Sequence, residues 1–536
     1  MNQYSKDKLI ELNTEGYSSL VDVFEKTCED NRQEIAFSCL GHEVSFDEID
    51  KLSANFAAFL VNDCKLKTGD RVAIQLPNLI QYPIVVWGVM RAGMVVVNTN
   101  PQYTAREQTH QFNDSGAVAL VVLEDLLAVT NKVIPNTKIS TVIVTSAQDL
   151  LGSNDLSDRL PEGYIAFNDA LEQGSKSSAP KPELNMDDVA VLQYTGGTTG
   201  PSKGAMLSHG NLFTGMTMSR LSILLFEDGV REIPIAPLPL YHVFGFSSNL
   251  IGTFLHGGLN VLIPNPRDMG SIISCMKAYP FTSMSSVNTL LQGLLAHPEF
   301  DEVDFSHLRG VIAGGTALVK EIADEWYART NTRILEGYGL SETSAVATCN
   351  RPDDFVVGAV GLPMKHVQIK LIDAEDNTVE DGERGEICIR GPQVMHGYWN
   401  RPDATAEDLD QEGWFKTGDV GVKLDNGHLK IVDRIKDMIL VSGFNVFPNE
   451  IEEVVYGHPN IVECAAIGVP HEASGEAVKL FVVSNDPSLT KEQIISFCRD
   501  ELTAYKIPKQ IEFSEDLPKS PAGKILRREL RENNKS

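Results

Sequence analysis

The sequence lacks the features that would assign it to several broad classes of function. Positive charge is scarce: 46 Lys and Arg stand against 73 Asp and Glu, a net charge of −27. Such a surface repels nucleic acid and anionic lipid headgroups unless a local basic patch overrides it, so DNA and RNA are discounted as partners. The eight cysteines are scattered, with no C-x-x-C pair and no histidine nearby at ligand spacing. Neither a disulfide framework nor a zinc site is expected, and a reducing cytosol is the natural compartment. The opening stretch M-N-Q-Y-S-K-D-K-L-I-E-L-N has no apolar core of the kind a signal peptide carries. The most apolar region, Ile80 to Val97, is broken by Pro83, Gly88, Arg91 and Gly93 and fails as a membrane span. A cytoplasmic protein is expected, with room only for peripheral contact at the inner face of a membrane. There is no internal repeat and no low-complexity segment.

What is present describes an ordinary globular chain, 42% hydrophobic and 22% charged. Its 536 residues imply roughly three or four domain-sized pieces. Amphipathic helices are expected over Ser18 to Asn31 and Phe46 to Leu60, with a sheet-like stretch between. Apolar strands at Arg71 to Leu76, Met94 to Val97, Ala117 to Leu123 and Thr141 to Thr145 alternate with helical stretches. That rhythm predicts a parallel sheet covered by helices. Past about Asn350 the texture becomes short strands with Gly/Asp turns, which suggests a small β-barrel or sandwich lobe. A compact α+β tail follows Asp433.

The centre of the chain is Gln193 to His209, Q-Y-T-G-G-T-T-G-P-S-K-G-A-M-L-S-H, entered from a short apolar strand. Glycines let backbone N–H groups approach a ligand, successive N–H groups form an anion-binding nest, and hydroxyls and Lys203 add donors and charge. This is the composition of a polyphosphate cradle. It is not a Walker A loop, because Gly200 lies three residues before Lys203 and Gly204 follows where Ser or Thr is needed. On composition alone a Gly/Ser/Thr surface loop would read the same way.

Four more strings follow in order: E-G-Y-G-L-S-E-T (Glu336 to Thr343), W-F-K-T-G-D (Trp414 to Asp419), D-R-I-K-D-M-I (Asp433 to Ile439) and P-K-S-P-A-G-K-I-L (Pro518 to Leu526). With the glycine-rich loop they resemble the adenylate-forming superfamily of acyl-CoA synthetases, luciferases and peptide-synthetase adenylation domains. D-M-I-L-V-S-G-F-N-V-F-P-N-E-I-E and G-K-I-L-R-R-E-L look most like the bacterial long-chain-fatty-acid–CoA ligases. The resemblance implies an α/β fold: a large N-terminal AMP-binding domain of two βα-layered subdomains plus a small β-barrel lobe, over residues 1–433. A hinge at 434–436 and a smaller mobile α+β domain at 437–536 would complete it.

The activity so implied is that of an acid–thiol ligase. A fatty carboxylate attacks the α-phosphate of ATP, pyrophosphate leaves, and the thiol of coenzyme A then displaces AMP from the acyl-adenylate. Neither half needs a covalent enzyme intermediate, so positioning and charge must carry the catalysis. Thr195, Gly196, Gly197, Thr198, Thr199, Gly200 and Lys203 would cradle the phosphates, and Glu342 with the Thr195 hydroxyl would hold Mg²⁺. Tyr338 would offer a face to adenine, with Gly315 and Gly337 at close backbone approach and Ser341 and Glu336 as further nucleotide contacts. Asp419 would accept the ribose hydroxyls beside Arg434. Lys436 takes the hinge position. Lys524 would be inserted from the second domain to neutralise charge at the α-phosphate. Ser442, Gly443 and Phe444 would line the coenzyme A side, and His242 the acyl pocket, as a gate or as packing. Leu440 stands where some relatives carry a lysine. ATP, coenzyme A and a fatty acid are the implied substrates and Mg²⁺ the cofactor, with a homodimer allowed. A medium-chain or aryl-acid CoA ligase, a luciferase-like oxygenase, an adenylation enzyme charging a carrier protein and a non-catalytic nucleotide-binding protein are the competing readings.

Overall fold

The computed structural model describes residues 16–152, 156–195, 202–223, 225, 230–471, 474–519 and 525–534. Two compact units result. The first takes the described chain as far as Gln368 together with Arg390–Phe415; the second takes Ile369–Ile389 and the chain from Lys416.

Two sheets build the first unit. One has seven strands, in the order Ile165–Ala166, Thr141–Thr145, Ala119–Leu123, Arg71–Gln75, Val95–Asn98, Val189–Tyr194 and Gly204–Ser208, parallel except for the last pair. Its central strands are buried apolar runs, as a sheet covered on both faces requires. Helix Phe46–Asn62 starts in a capping box made by Ser45 and Glu48. Helix Gln81–Arg91 ends in a Schellman motif, with Gly93 at φ 71° and the Met94 N–H bonded to the Val89 carbonyl at 3.0 Å. These two helices touch at Gly88, where a Cβ would lie 2.8 Å from Phe56, so glycine is the residue that permits the approach.

The second sheet has nine strands. Ile334–Tyr338, Gly310–Ala313, Ser283–Ser286, Pro234–Ala236, Asn260–Leu262 and Ile35–Cys39 are consecutive and parallel, with antiparallel strands at both edges. An aromatic cluster joins the two sheets: Phe24 stacks on Trp87 at 4.3 Å and on Phe254 at 5.3 Å, and Phe254 meets Phe37 at 5.7 Å. Phe254 follows a π-helix, Phe246–Thr253.

The second unit holds a four-stranded sheet, Gln368–Ile372, Arg384–Arg390, Phe415–Lys423 and Leu429–Arg434 in chain order. Where the sequence suggests a small barrel, the described strands form this sheet, and none of the described residues pairs its first strand with its last. Gly/Asp turns specify hairpins; they carry no information on closure. The remainder is a five-stranded sheet around the long hairpin Ile461–His471 and Gly475–Ser484, packed by helices Pro448–Tyr456 and Lys491–Glu501. Among the described residues no helix is long and apolar enough to cross a membrane.

Candidate active site

The strand that feeds the glycine-rich loop does not lead into a helix. Val189–Tyr194 pairs antiparallel with Gly204–Ser208, and the Thr195 N–H reaches the Lys203 carbonyl at 3.0 Å. The two strands therefore form a β-hairpin. Thr195 and Lys203 stand on its two arms; Gly196, Gly197, Thr198, Thr199 and Gly200 lie outside the described residues, as does Lys524. Residues 396–399 run along the far side of Gly204–Ser208: Met206 N donates to the Gly397 carbonyl at 2.9 Å, Trp399 N to the Gly204 carbonyl at 2.8 Å, and Ala205 bridges Tyr398. At the near end, Gln193 ties the hairpin to the other sheet. Its amide accepts from Asn98 at 2.9 Å and donates to the Tyr241 carbonyl at 3.1 Å, while the Tyr82 hydroxyl bonds Asn98 and the Leu240 carbonyl. This buried polar chain sets the Tyr241–His242 turn against the loop strand.

Two residues that the sequence analysis treats as separate motifs meet at the hairpin base. The Lys203 ammonium lies 3.9 Å from the centre of the Tyr398 ring and 3.2 Å from Asp408. The Tyr398 hydroxyl donates to Glu342 Oε1 at 2.9 Å. Both Tyr398 and Glu342 are buried. Burial pushes the Tyr398 phenol far above its ordinary range, and the charges of Glu342 and Asp408 push it further, so it remains a neutral donor. Tyr398 and Asp408 were not legible in the sequence, since partners 195 and 205 residues from Lys203 leave no local spacing signal.

Glu342 sits in a short 3₁₀ turn, Ser341–Thr343, just beyond strand Ile334–Tyr338. The next two residues, Ser344 at φ 52° and Ala345 at φ 97°, are in the left-handed region that side chains rarely adopt. The Ser344 hydroxyl on the Gln393 carbonyl at 2.9 Å and the Ala345 N–H on the Leu340 carbonyl hold them there. Strain of this kind gathers where geometry matters more than stability. Gly339 is dictated by the same turn, because a Cβ there would lie 1.5 Å from the Ala345 carbonyl oxygen.

Strands Gly310–Ala313 and Ile334–Tyr338 bring Gly314–Gly315 beside Gly337–Tyr338 at their carboxyl ends, the usual place for a ligand crevice in a parallel sheet. A Cβ on Gly314 would be 3.2 Å from the Gly337 carbonyl oxygen, whereas one on Gly315 would meet nothing within 4 Å. Tyr338 is half-buried. Glu336 is buried, and its carboxylate accepts from Leu318 N at 3.1 Å and Gly358 N at 3.3 Å. It knits loops together behind the strand. His242 caps the helical turn Val243–Gly245, its Nδ1 accepting from Phe244 N at 3.3 Å, and the turn runs into the π-helix.

In the second unit, Asp419 and Arg434 are cross-strand partners, joined at 2.8 Å. Asp419 is buried. Lys436 is exposed in the 3₁₀ turn Ile435–Asp437. Ser442 and Gly443, both at positive φ, form the two-residue turn of hairpin Ile439–Val441 and Phe444–Val446. Phe444 is exposed and stacks on Tyr505 at 4.6 Å. Beside the turn Ile435–Asp437, Arg527 faces Glu452 at 2.7 Å, Asp437 at 3.4 Å and Asp433 at 3.7 Å, and Arg531 pairs with Asp437 at 2.8 Å.

Residues 24–399 match the model of the AMP-binding enzymes, and residues 450–524 match that of the AMP-binding enzyme C-terminal domain. The chain belongs to the AMP-binding enzyme family. It is 46% identical to the long-chain-fatty-acid–CoA ligase of Escherichia coli O157:H7, over 99% of this chain and 97% of that one. Its fold superposes on an anthranilate CoA ligase solved with anthranoyl-AMP, at a TM-score of 0.87 and 26% identity over 97% and 98% of the two chains. ATP-bound MatB from Rhodopseudomonas palustris matches at a TM-score of 0.86 and 30% identity, over 96% and 99%. Family members thus carry the two-domain α/β architecture of this chain.

Proposed function

We propose that this protein joins a long-chain fatty acid to coenzyme A through an acyl-adenylate, releasing AMP and pyrophosphate. The observation that carries the reading is the convergence of Lys203 and Glu342, 139 residues apart in sequence, on Tyr398 at the base of the glycine-rich hairpin. A cation and a carboxylate at one end of a nest-forming loop are what a metal-bound polyphosphate requires. The acyl class rests on the likeness to the Escherichia coli ligase along nearly all of both chains.

The donor chemistry fits Mg²⁺, a hard cation that takes one or two carboxylates and completes its shell with phosphate oxygens and water. Glu342 and Thr195 would hold it. Among the described residues no group of three or more His, Cys, Asp or Glu forms a cage on its own. When bound, the ion would offset phosphate charge. Lys203 and the loop N–H groups bind the departing pyrophosphate. Tyr338, Gly315, Gly337, Ser341 and the Glu336 backbone bound the adenine pocket, and Asp419 with Arg434 takes the ribose. Residues 1–433 act as the adenylation domain and 437–536 as a domain that turns about Lys436. It brings Lys524 to the α-phosphate first and Ser442–Phe444 to the coenzyme A side second. Peripheral membrane contact and a homodimer belong to the same reading; vesicle co-sedimentation and light scattering test them.

An aryl-acid ligase is the second reading, favoured by the superposition on the anthranilate ligase. One assay separates the two: AMP and pyrophosphate release with ATP, Mg²⁺ and carboxylic acids from acetate to oleate and benzoate, with and without coenzyme A. Multiple turnovers that need coenzyme A and rise toward long chains are expected. Turnover strongest with aryl acids would replace the substrate, and turnover independent of coenzyme A would replace the second half-reaction.

A further inference from the structure

We propose that Tyr398 is a positioning residue that couples the metal carboxylate to the phosphate lysine, so that the two are set as one unit. The proposal deepens the function above and rests on its roles for Glu342 and Lys203. A buried phenol needs a partner for its hydroxyl, and a backbone carbonyl is the commonest one available. Here the acceptor is instead the buried carboxylate of Glu342, at 2.9 Å. The other surface of the same side chain is also in use, because the Lys203 ammonium lies 3.9 Å from the ring centre, within cation–π range.

The backbone leaves Tyr398 little freedom. Gly397 and Trp399 are hydrogen-bonded to the strand that carries the arm of the loop, and the Tyr398 N–H donates to the Thr405 hydroxyl at 2.9 Å. One rigid ring therefore fixes the orientation of a carboxylate through its hydroxyl and the height of an ammonium through its face. The two contacts are chemically separable. Phenylalanine keeps the face and loses the hydroxyl; leucine loses both. Partners that orient a metal-binding carboxylate typically change metal affinity ten- to a hundredfold when removed.

The test is the Mg²⁺ dependence of acid-dependent pyrophosphate release, together with calorimetric ATP binding across the same Mg²⁺ range, in wild type, Tyr398→Phe and Tyr398→Leu. In Tyr398→Phe the half-saturating Mg²⁺ is expected to rise roughly ten- to a hundredfold, with the rate recovering as Mg²⁺ is added. ATP affinity at saturating Mg²⁺ should stay near that of wild type. In Tyr398→Leu, ATP affinity should fall even at saturating Mg²⁺. An unchanged Mg²⁺ requirement in Tyr398→Phe overturns the proposal. So does ATP binding that is as weak in Tyr398→Phe as in Tyr398→Leu. Circular dichroism checks folding, and if Tyr398→Leu fails to fold, Tyr398→Phe alone decides. Failure of the ligase function is a different result: the wild type would release no pyrophosphate with any acid, while the binding arm would still read Tyr398.

Discussion

Replacing Arg527 with methionine tests the second unit at its most charged buried point. The Arg527 side chain is 15% exposed and faces Asp433, Asp437 and Glu452. Methionine fills much the same volume and leaves Asp437 with Arg531 and the field of Arg434, while Asp433 and Glu452 keep backbone donors but lose their facing cation. Removing one partner of a buried ion pair costs about 3–5 kcal/mol, because the remaining charge stays out of water. The loss should therefore move the unfolding midpoint of the second unit by roughly 10 °C or more, read by calorimetry or pulse proteolysis. The pH dependence supplies the sign. Burial already lifts Asp433 to about 6 despite Arg527. Without the guanidinium, the folded-state value of Asp433 rises further above its unfolded value. For such groups stability is fully present below the unfolded pKa and is lost as pH rises through the folded one. The variant should approach wild type near pH 4 and fall furthest behind above pH 7. A deficit independent of pH, or one below about 1 kcal/mol at neutral pH, would refute the reasoning, since either means that water reaches these carboxylates.

Asp408→Asn removes the carboxylate that pairs with Lys203. The pair is about one-third exposed on each side, so its worth is that of a surface bridge, about 0.2–1 kcal/mol. ATP should bind up to about fivefold more tightly at low salt, with the difference fading as salt screens it; weaker binding at all salt concentrations would count against a holding role. Gly339→Ala places a methyl group where the Ala345 carbonyl oxygen lies. It should displace Glu342 and lower adenylation by a factor of about 10² or more while circular dichroism changes little, as for other misplacements of a catalytic group. Wild-type turnover in that variant would show that the turn can shift without moving the site.

How much could be read in the residues depended on the range of the interaction. Helix Phe46–Asn62 and strands Arg71–Gln75 and Thr141–Thr145 lie within two residues of the limits that periodicity and capping give them, because caps and apolar spacing are local. The partner strand of the glycine-rich loop was not legible. G-A-M-L-S has no β-branched residue and one large apolar side chain that is fully buried, so only tertiary pairing makes it a strand. Tyr398 was missed for the same reason. Its place beside Glu342 follows from residues 396–399 joining the hairpin, a contact no local pattern encodes. The resemblance marks Glu336 as a nucleotide contact, but the work of its carboxylate, holding two backbone N–H groups of distant loops, depends on folded geometry.

The π-helix Phe246–Thr253 delivers Phe254 to the aromatic cluster between the two sheets. Wide turns of this kind hold more residues per turn than an α-helix of the same rise. Deleting a single residue there would let the segment relax to the tighter winding, whose larger turn per residue recovers most of the rotation lost and leaves Phe254 facing Phe24 and Trp87. A one-residue deletion in this segment should thus be milder than one within a regular α-helix of the core, where every later side chain would turn by about 100°. The wide turn stores one residue of slack at the junction between the sheets, and relatives one residue shorter here should keep the same aromatic contacts.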